Sequence, residues 1–214
     1  MIYDYIIIPP KLFNSNQDRT NFLYKLSSNQ IPAAEIERIN KMRLFRNKIE
    51  EIEKYCEINY YKMCDENFKS NLQVIDSKMP EIMAGLVLKY YKTKLNKVNE
   101  LTAELAAENP CAFSSEKHKF YQYKIKRFLV DSALGMTPAS IWDGQYDATG
   151  GYLVVKENGE VLCYHLYNYN EFKSYLFQNT ILDSPSSSRH KYGKIIRKDN
   201  QLFIKFSLLV RFVD

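Results

Sequence analysis

The sequence predicts an α+β fold in which a helical N-terminal half packs with a mixed β-sheet in the C-terminal half. Three observations carry this. Between Ala33 and Leu134 the apolar residues recur every three or four positions, the spacing of amphipathic helices. Between Gly151 and Tyr167 two β-rich runs flank Glu157-Asn158-Gly159-Glu160, and Asn-Gly favours the positive φ angles of a type I′ hairpin turn. The run Leu202–Phe212, LFIKFSLLVRF, is nearly continuous in apolar residues, as an interior strand requires. The chain divides near residue 75 into a helical region, 1–75, and a region of helices, hairpin and C-terminal strands, 76–214.

At 214 residues the chain can bury a substantial core. Thirty Lys and Arg against 25 Asp and Glu leave a net charge of +5, which suits a polyanionic partner and an ordinary soluble protein alike. Four cysteines, Cys56, Cys64, Cys111 and Cys163, form no CxxC pair and follow no signal peptide, so free thiols in a cytoplasmic chain are expected rather than disulfides or zinc. No apolar run reaches the roughly 20 residues of a membrane span. Walker, G-x-G-x-x-G, G-x-S-x-G and H-E-x-x-H patterns are absent, which removes the usual support for nucleotide, dinucleotide, lipase and zincin readings.

Taken in order, the first 31 residues open on Ile6-Ile7-Ile8, stop at Pro9-Pro10 and continue with only a short apolar pattern at Phe22, Leu23 and Leu26. Ile36, Ile39, Phe45, Ile49, Ile52 and Cys56 predict one amphipathic helix or two over 33–57. Pro80 suits the first turn of the next helix, and Glu81 in that turn suits its dipole. Val98–Glu108 forms another, ended by Asn109-Pro110. A helix over 117–134 sets Tyr121, Ile125, Phe128 and Leu129 on one stripe and Lys117, Lys119, Lys124, Lys126 and Arg127 elsewhere. That basic face is a candidate for phosphate contacts, with Lys124 and Arg127 foremost, or simply a solvated face.

With Asn158 and Gly159 as the turn, the hairpin pairs Lys156 with Val161, Val154 with Cys163 and Tyr152 with His165. Leu153, Val155, Leu162, Tyr164 and Leu166 make its apolar side. Glu171–Asn179 reads as a short helix, and Ser-Pro-Ser-Ser-Ser-Arg-His-Lys-Tyr-Gly to Gly193 as a basic, hydroxyl-rich loop. Lys194–Arg197 and Gln201–Phe212 are strands about a Lys-Asp-Asn turn.

The chemistry concentrates in residues 142–193. Metal-dependent phosphodiester cleavage needs carboxylates for the cation and a Lys or His at the scissile phosphate. Asp143 and Asp147 precede the first hairpin strand, Lys156 and Glu157 end it, Glu160 opens the second and His165 lies on it. Asp147 reads as a metal ligand or a turn cap, and His165 as a group beside phosphate or a hydrogen-bonded core histidine. Strict alternation sets Asp147 and His165 on opposite faces unless Gly150-Gly151 makes a bulge. Ser186, Ser188, Arg189, His190 and Lys191 are the types that contact phosphate and guanine.

These residues also carry a resemblance. Asp76-Ser77 with Met79-Pro80-Glu81-Ile82, Tyr123-Lys124-Ile125-Lys126, Ala133-Leu134-Gly135-Met136, Trp142-Asp143-Gly144, Asp147-Ala148-Thr149-Gly150-Gly151-Tyr152, Cys163-Tyr164-His165, Ser188-Arg189-His190 and Arg211-Phe212 occur in an order that resembles the HpaII restriction endonuclease family. The resemblance implies a restriction-endonuclease-like fold and a type II enzyme that hydrolyses double-stranded DNA with Mg²⁺ at a short palindrome, CCGG in the namesake. A palindrome in turn favours a two-fold homodimer. Two departures stand out: Gly85 where the family prefers an acidic residue, and a chain shorter at the N-terminus than family members.

Chemistry then suggests Asp147 with Glu81 as Mg²⁺ ligands, His165, Lys156 and Glu160 near the reacting phosphate, and Arg189 and His190 on DNA. Two other readings stay open. One is a non-catalytic DNA-binding protein using residues 98–134 as a helix-turn-helix-like reader; the other is a truncated remnant that binds DNA without specificity.

Overall fold

Strands from both ends of the chain pair with one another. The computed structural model describes residues 11–13, 18–114, 118–145, 151–155, 158–165 and 169–212, and of 11–13, 151–155 and 162–165 the backbone alone. The chain begins with β1 (Lys11–Phe13), β2 (Asn21–Leu26), α1 (Ala33–Lys41), α2 (Phe45–Glu53), β3 (Ile58–Met63), α3 (Glu66–Ile75), α4 (Met79–Lys92), α5 (Val98–Glu108) and α6 (Phe120–Ala133). It continues with β4 (Gly151–Val155), β5 (Val161–His165), α7 (Tyr169–Gln178), β6 (Thr180–Asp183), α8 (Ser187–His190), β7 (Ile195–Lys198), β8 (Gln201–Ser207) and β9 (Leu209–Phe212).

Among the described residues every strand pairing is antiparallel, in sheets ordered β3-β2-β8-β7, β1-β9-β6 and β4-β5. This bears out the α+β class and corrects two details. The sheet expected to be mixed is antiparallel, and the half expected to be helical supplies β2 and β3. Phe22, Tyr24 and Leu26 are buried while Leu23 and Lys25 are less so, a period of two that seats β2 between β3 and β8. As expected from their apolar runs, β8 and β9 are interior strands. The β7–β8 turn rests on Asp199 and Asn200, both at positive φ, the backbone of a two-residue type I′ connection.

The hairpin β4–β5 forms, but its register differs by one from expectation. Gly151 pairs with His165, Leu153 with Cys163 and Val155 with Val161, so Val155 and not position 156 is opposite Val161, and Asn158, Gly159 and Glu160 lie in the connection. Glu160 caps that connection by donating its backbone N–H to Asn158 Oδ1 at 2.9 Å.

Central to the packing is α4, buried at Met79, Ile82, Met83, Ala84, Leu86, Val87 and Tyr91. Pro80 sits at its start, where a missing N–H costs nothing. It packs against α2, α3, α5, β3 and β8, and Tyr24 donates its hydroxyl to Ala84 O at 2.7 Å. Gly85 allows α5 close approach, since a Cβ there would lie 2.7 Å from Leu105 Cδ1. The acidic side chain expected at that position has no room without displacing Leu105. One continuous apolar cluster runs from Phe22 through α3, α4 and α6 to Phe212. Among the described residues no helix is long and apolar enough to cross a membrane.

Candidate functional site

Three places hold the predicted residues. The first is the start of α4. Glu81 lies in its first turn, where a carboxylate is favoured by the exposed N–H groups. Its Oε1 is 3.6 Å from Lys78 Nζ, and its Oε2 is shielded from solvent with no hydrogen-bond partner. A shielded carboxylate oxygen without a donor is costly, and a bound cation offsets that cost. The Glu81 side chain as a whole is 42% exposed, so the carboxylate is reachable and Oε2 is the atom that could serve as one ligand of a metal. Among the described residues no three His, Cys, Asp or Glu side chains converge to complete such a set.

Around this corner the protein supplies further charge. Asp76 accepts the backbone N–H of Lys78 at 2.9 Å and pairs through Oδ2 with Lys124 Nζ. Burial pushes the Cys111 thiol up, and the charges of Glu81, Lys78 and Lys124 also act on it, which gathers these groups at one corner. Burial likewise raises the Tyr60 phenol to about 12, with Glu81 and Glu66 adding to the shift.

The second place is the hairpin. Asp147 and Lys156 lie outside the described residues, as does the side chain of His165. Glu160 is exposed at the turn end, while His165 is the last residue of β5. Five residues of strand span about 17 Å, so Glu160 and His165 do not share one site. Gly151 and not Tyr152 pairs with His165, and the face of Asp147 relative to His165 lies outside the described residues.

The lead into that segment is strongly fixed. Asn71 of α3 is fully buried and donates from Nδ2 to Thr137 O at 2.9 Å and Ser140 O at 2.8 Å. Its Oδ1 accepts the Trp142 N–H at 2.9 Å. Trp142 donates its indole N–H to Gln145 O at 2.8 Å, and Gln145 N–H is held by Asp143 Oδ1 at 2.9 Å. Sequence reading missed Asn71, although a polar residue beside Phe68, Leu72 and Ile75 on one helical stripe is the signal of a buried anchor.

The third place is the segment 184–193, expected to be a loop. It forms the short helix α8 instead. Ser186 and Ser188 share a hydroxyl contact of 3.1 Å, and Arg189 and Lys191 are exposed. His190 is buried, with its carbonyl held by Asn21 Nδ2 at 3.2 Å, so of the predicted DNA contacts on this segment it is the least accessible. Nδ1 of His190 has no hydrogen-bond partner. Gly193 follows at φ +77°, and a Cβ there would lie 2.1 Å from Phe45 Cε1. Lys48 is buried beneath it and donates to Gly193 O at 2.7 Å and Asn40 O at 3.2 Å. Burial, with the Lys194 charge nearby, holds the Lys48 ammonium below its usual range.

α4 links the first and third places. Tyr91, in its last turn, packs on Tyr192 with ring centroids 5.9 Å apart. Ten helical residues separate Glu81 from Tyr91, a rise of about 15 Å.

On α6, Lys124 is taken by Asp76, and Arg127 Nε lies 3.0 and 2.9 Å from the two carboxylate oxygens of buried Asp131. Both of these predicted DNA contacts are thus paired with carboxylates of the protein, Lys124 largely buried and Arg127 still 41% exposed. The helix-turn-helix reading also fails on geometry. Residues 109–119 separate α5 from α6, where that motif uses a turn of three or four residues. Asn109 stiffens this connection, donating to Phe113 O at 3.1 Å and accepting from Phe113 N at 3.0 Å and Tyr121 Oη at 3.0 Å.

With this geometry in place, comparison with known proteins is informative. The sequence model of the HpaII restriction endonuclease family matches residues 3–212. The Type II restriction enzyme HpaII of Haemophilus parainfluenzae is 44% identical over 207 residues, which cover 96% of this chain and 57% of that protein. The chain thus spans little more than half the length of this curated relative. No solved structure matches.

Proposed function

The chain belongs to the HpaII restriction endonuclease family, and from that premise we propose that it is a type II restriction endonuclease with a restriction-endonuclease-like fold. It hydrolyses phosphodiester bonds of double-stranded DNA at a short palindrome, CCGG by resemblance. The family membership carries this reading, and the shielded, donor-free oxygen of Glu81 supports it.

In this reading the region 76–214 carries the chemistry. Glu81 and Asp147 hold Mg²⁺, which when bound polarises the phosphate and eases loss of a proton from water. Asn71 and Trp142 fix the chain that leads into Asp147. His165, at the same end of the hairpin as that lead, stands beside the scissile phosphate, and Lys156, beyond the opposite end of β4, is not placed there with it. Water oxygen bonds to phosphorus as a P–O bond breaks, and the leaving oxygen takes up a proton. Ser186, Ser188, Arg189 and Lys191 on α8 read the duplex, with Arg189 suited to a bidentate contact with guanine. A palindrome calls for a homodimer. We assign the protein to the cytoplasm, in keeping with the free thiols of Cys56, Cys64 and Cys111.

Incubation of the chain with unmethylated plasmid DNA and Mg²⁺, beside an EDTA control, tests this. Discrete, EDTA-sensitive fragments are expected, and mapping their ends gives the site. Binding without cutting would instead support the non-catalytic or truncated DNA-binding protein. Asp147→Ala is expected to abolish cutting and leave DNA affinity largely intact. Retained cutting removes Asp147 from the mechanism.

A further inference from the structure

The basic residues of α6 fall on two faces with different fates. Lys124 and Arg127 are neutralised by Asp76 and Asp131. Lys119, Tyr123 and Lys126 recur at helical spacing on another face, which meets α7 at Lys173 and Ser174. There the two helices line a groove of about 600 Å³ whose described lining contains His118, Lys119, Lys126 and Lys173 and no carboxylate. Among the described residues no Asp or Glu pairs with any of these three lysines.

The lysines are held in place by neutral groups. Lys126 Nζ donates to Ser174 Oγ at 3.2 Å and lies 5.2 Å from the Phe177 ring centroid. Lys173 Nζ sits 4.7 Å from the Tyr169 ring and 5.4 Å from the Tyr123 ring. Burial and the charges of Lys173 and Lys119 bring the Lys126 ammonium below its usual range. Like charges gathered without an acid repel one another, and an external polyanion relieves that repulsion.

We propose that the α6–α7 groove binds the phosphate backbone of duplex DNA through Lys119, Lys126 and Lys173, independently of base sequence. The endonuclease reading supplies only the identity of the polyanion. Backbone contacts of this kind set position and orientation on the duplex, while base contacts at another surface set specificity.

The test measures Kd for two labelled duplexes, one with CCGG and one without, across a series of KCl concentrations with Ca²⁺ in place of Mg²⁺. For Lys126→Gln/Lys173→Gln the slope of log Kd against log salt is expected to fall by about 2, at about 0.9 per phosphate contact. The fall is the same on both duplexes. Lys126→Arg/Lys173→Arg restores the slope, and Lys54→Gln/Lys94→Gln, outside the groove, leaves it unchanged. An unchanged slope in the groove variant, with native circular dichroism, overturns the proposal. So does a slope lost on the CCGG duplex alone, or a native chain that binds neither duplex. A reduced slope in a chain that never cuts with Mg²⁺ keeps the groove and removes the endonuclease reading.

Discussion

Single residues decide how α8 and the turn after it are held. Gly193 has a positive φ and its Cα hydrogens face Phe45, so an added methyl meets two penalties at once. Left-handed backbone costs about 1–2 kcal/mol for an ordinary residue, and overpacking a filled core about 1–3 kcal/mol. Gly193→Ala is therefore expected to destabilise the protein by about 2–5 kcal/mol. Urea unfolding checks this: the midpoint falls at an unchanged slope. Lys48 shows why such positions hide in sequence. It lies in the run Phe45-Arg46-Asn47-Lys48-Ile49 and reads as part of a solvated face. The structure instead buries it against two carbonyls, a placement fixed by a partner 145 residues away. Gly85 is the converse case. A missing acid looks like a lost ligand in sequence, but in the fold it is the contact that seats α5 on α4.

Elements were legible where their periodicity was long and uninterrupted. α4, α5, α6, α7 and the β7–β8 hairpin follow the sequence expectation closely. α3 was overlooked, although Asp65 caps it by accepting Phe68 N–H at 2.8 Å. Strand β3, INYYKM, has a weak alternation because only Ile58 and Met63 are buried. The hairpin register was missed for a different reason: Asn-Gly indicates a turn but does not fix how many neighbours join it. The candidate site was readable as residue types and not as distances, since the positions of α8, Glu81 and the hairpin are set by tertiary packing. Asn71 tests the one element boundary that matters most for chemistry. Asn71→Ala leaves Thr137 O, Ser140 O and Trp142 N–H without their partner, at a cost of about 3 kcal/mol. That corresponds to a melting temperature lowered by about 6–12 °C. A change below about 2 °C, the shift that about 1 kcal/mol gives at this size, would mean that the segment has other anchors.

At the scale of the whole molecule, the core is built with phenols. Burial raises Tyr24 and Tyr91 well above their usual range, and Tyr60, Tyr121 and Tyr192 to about 12. A folded-state pKa above the unfolded value means that the folded chain keeps its proton longer. Stability from these groups is complete below pH 10 and is lost as pH rises from 10 through 12. For buried Tyr24 alone the loss is about 1.4 kcal/mol per pH unit in that window. In an alkaline titration followed by absorbance and circular dichroism together, exposed phenols ionise first and the buried ones only as the helical signal is lost; a native signal that persists after every phenol has ionised would refute this. The arrangement of β2 between β3 and β8 has a temporal consequence. Thr20 and Ser207 touch across 187 residues of sequence, and a ribosome adding 5–20 residues each second needs on the order of ten to forty seconds to cover that distance. Throughout that interval β2 has one edge without its native partner, exposed to other chains. The sheet that backs α8 closes only after β8 emerges, so a nascent chain has its helices well before α8 has a surface to rest on.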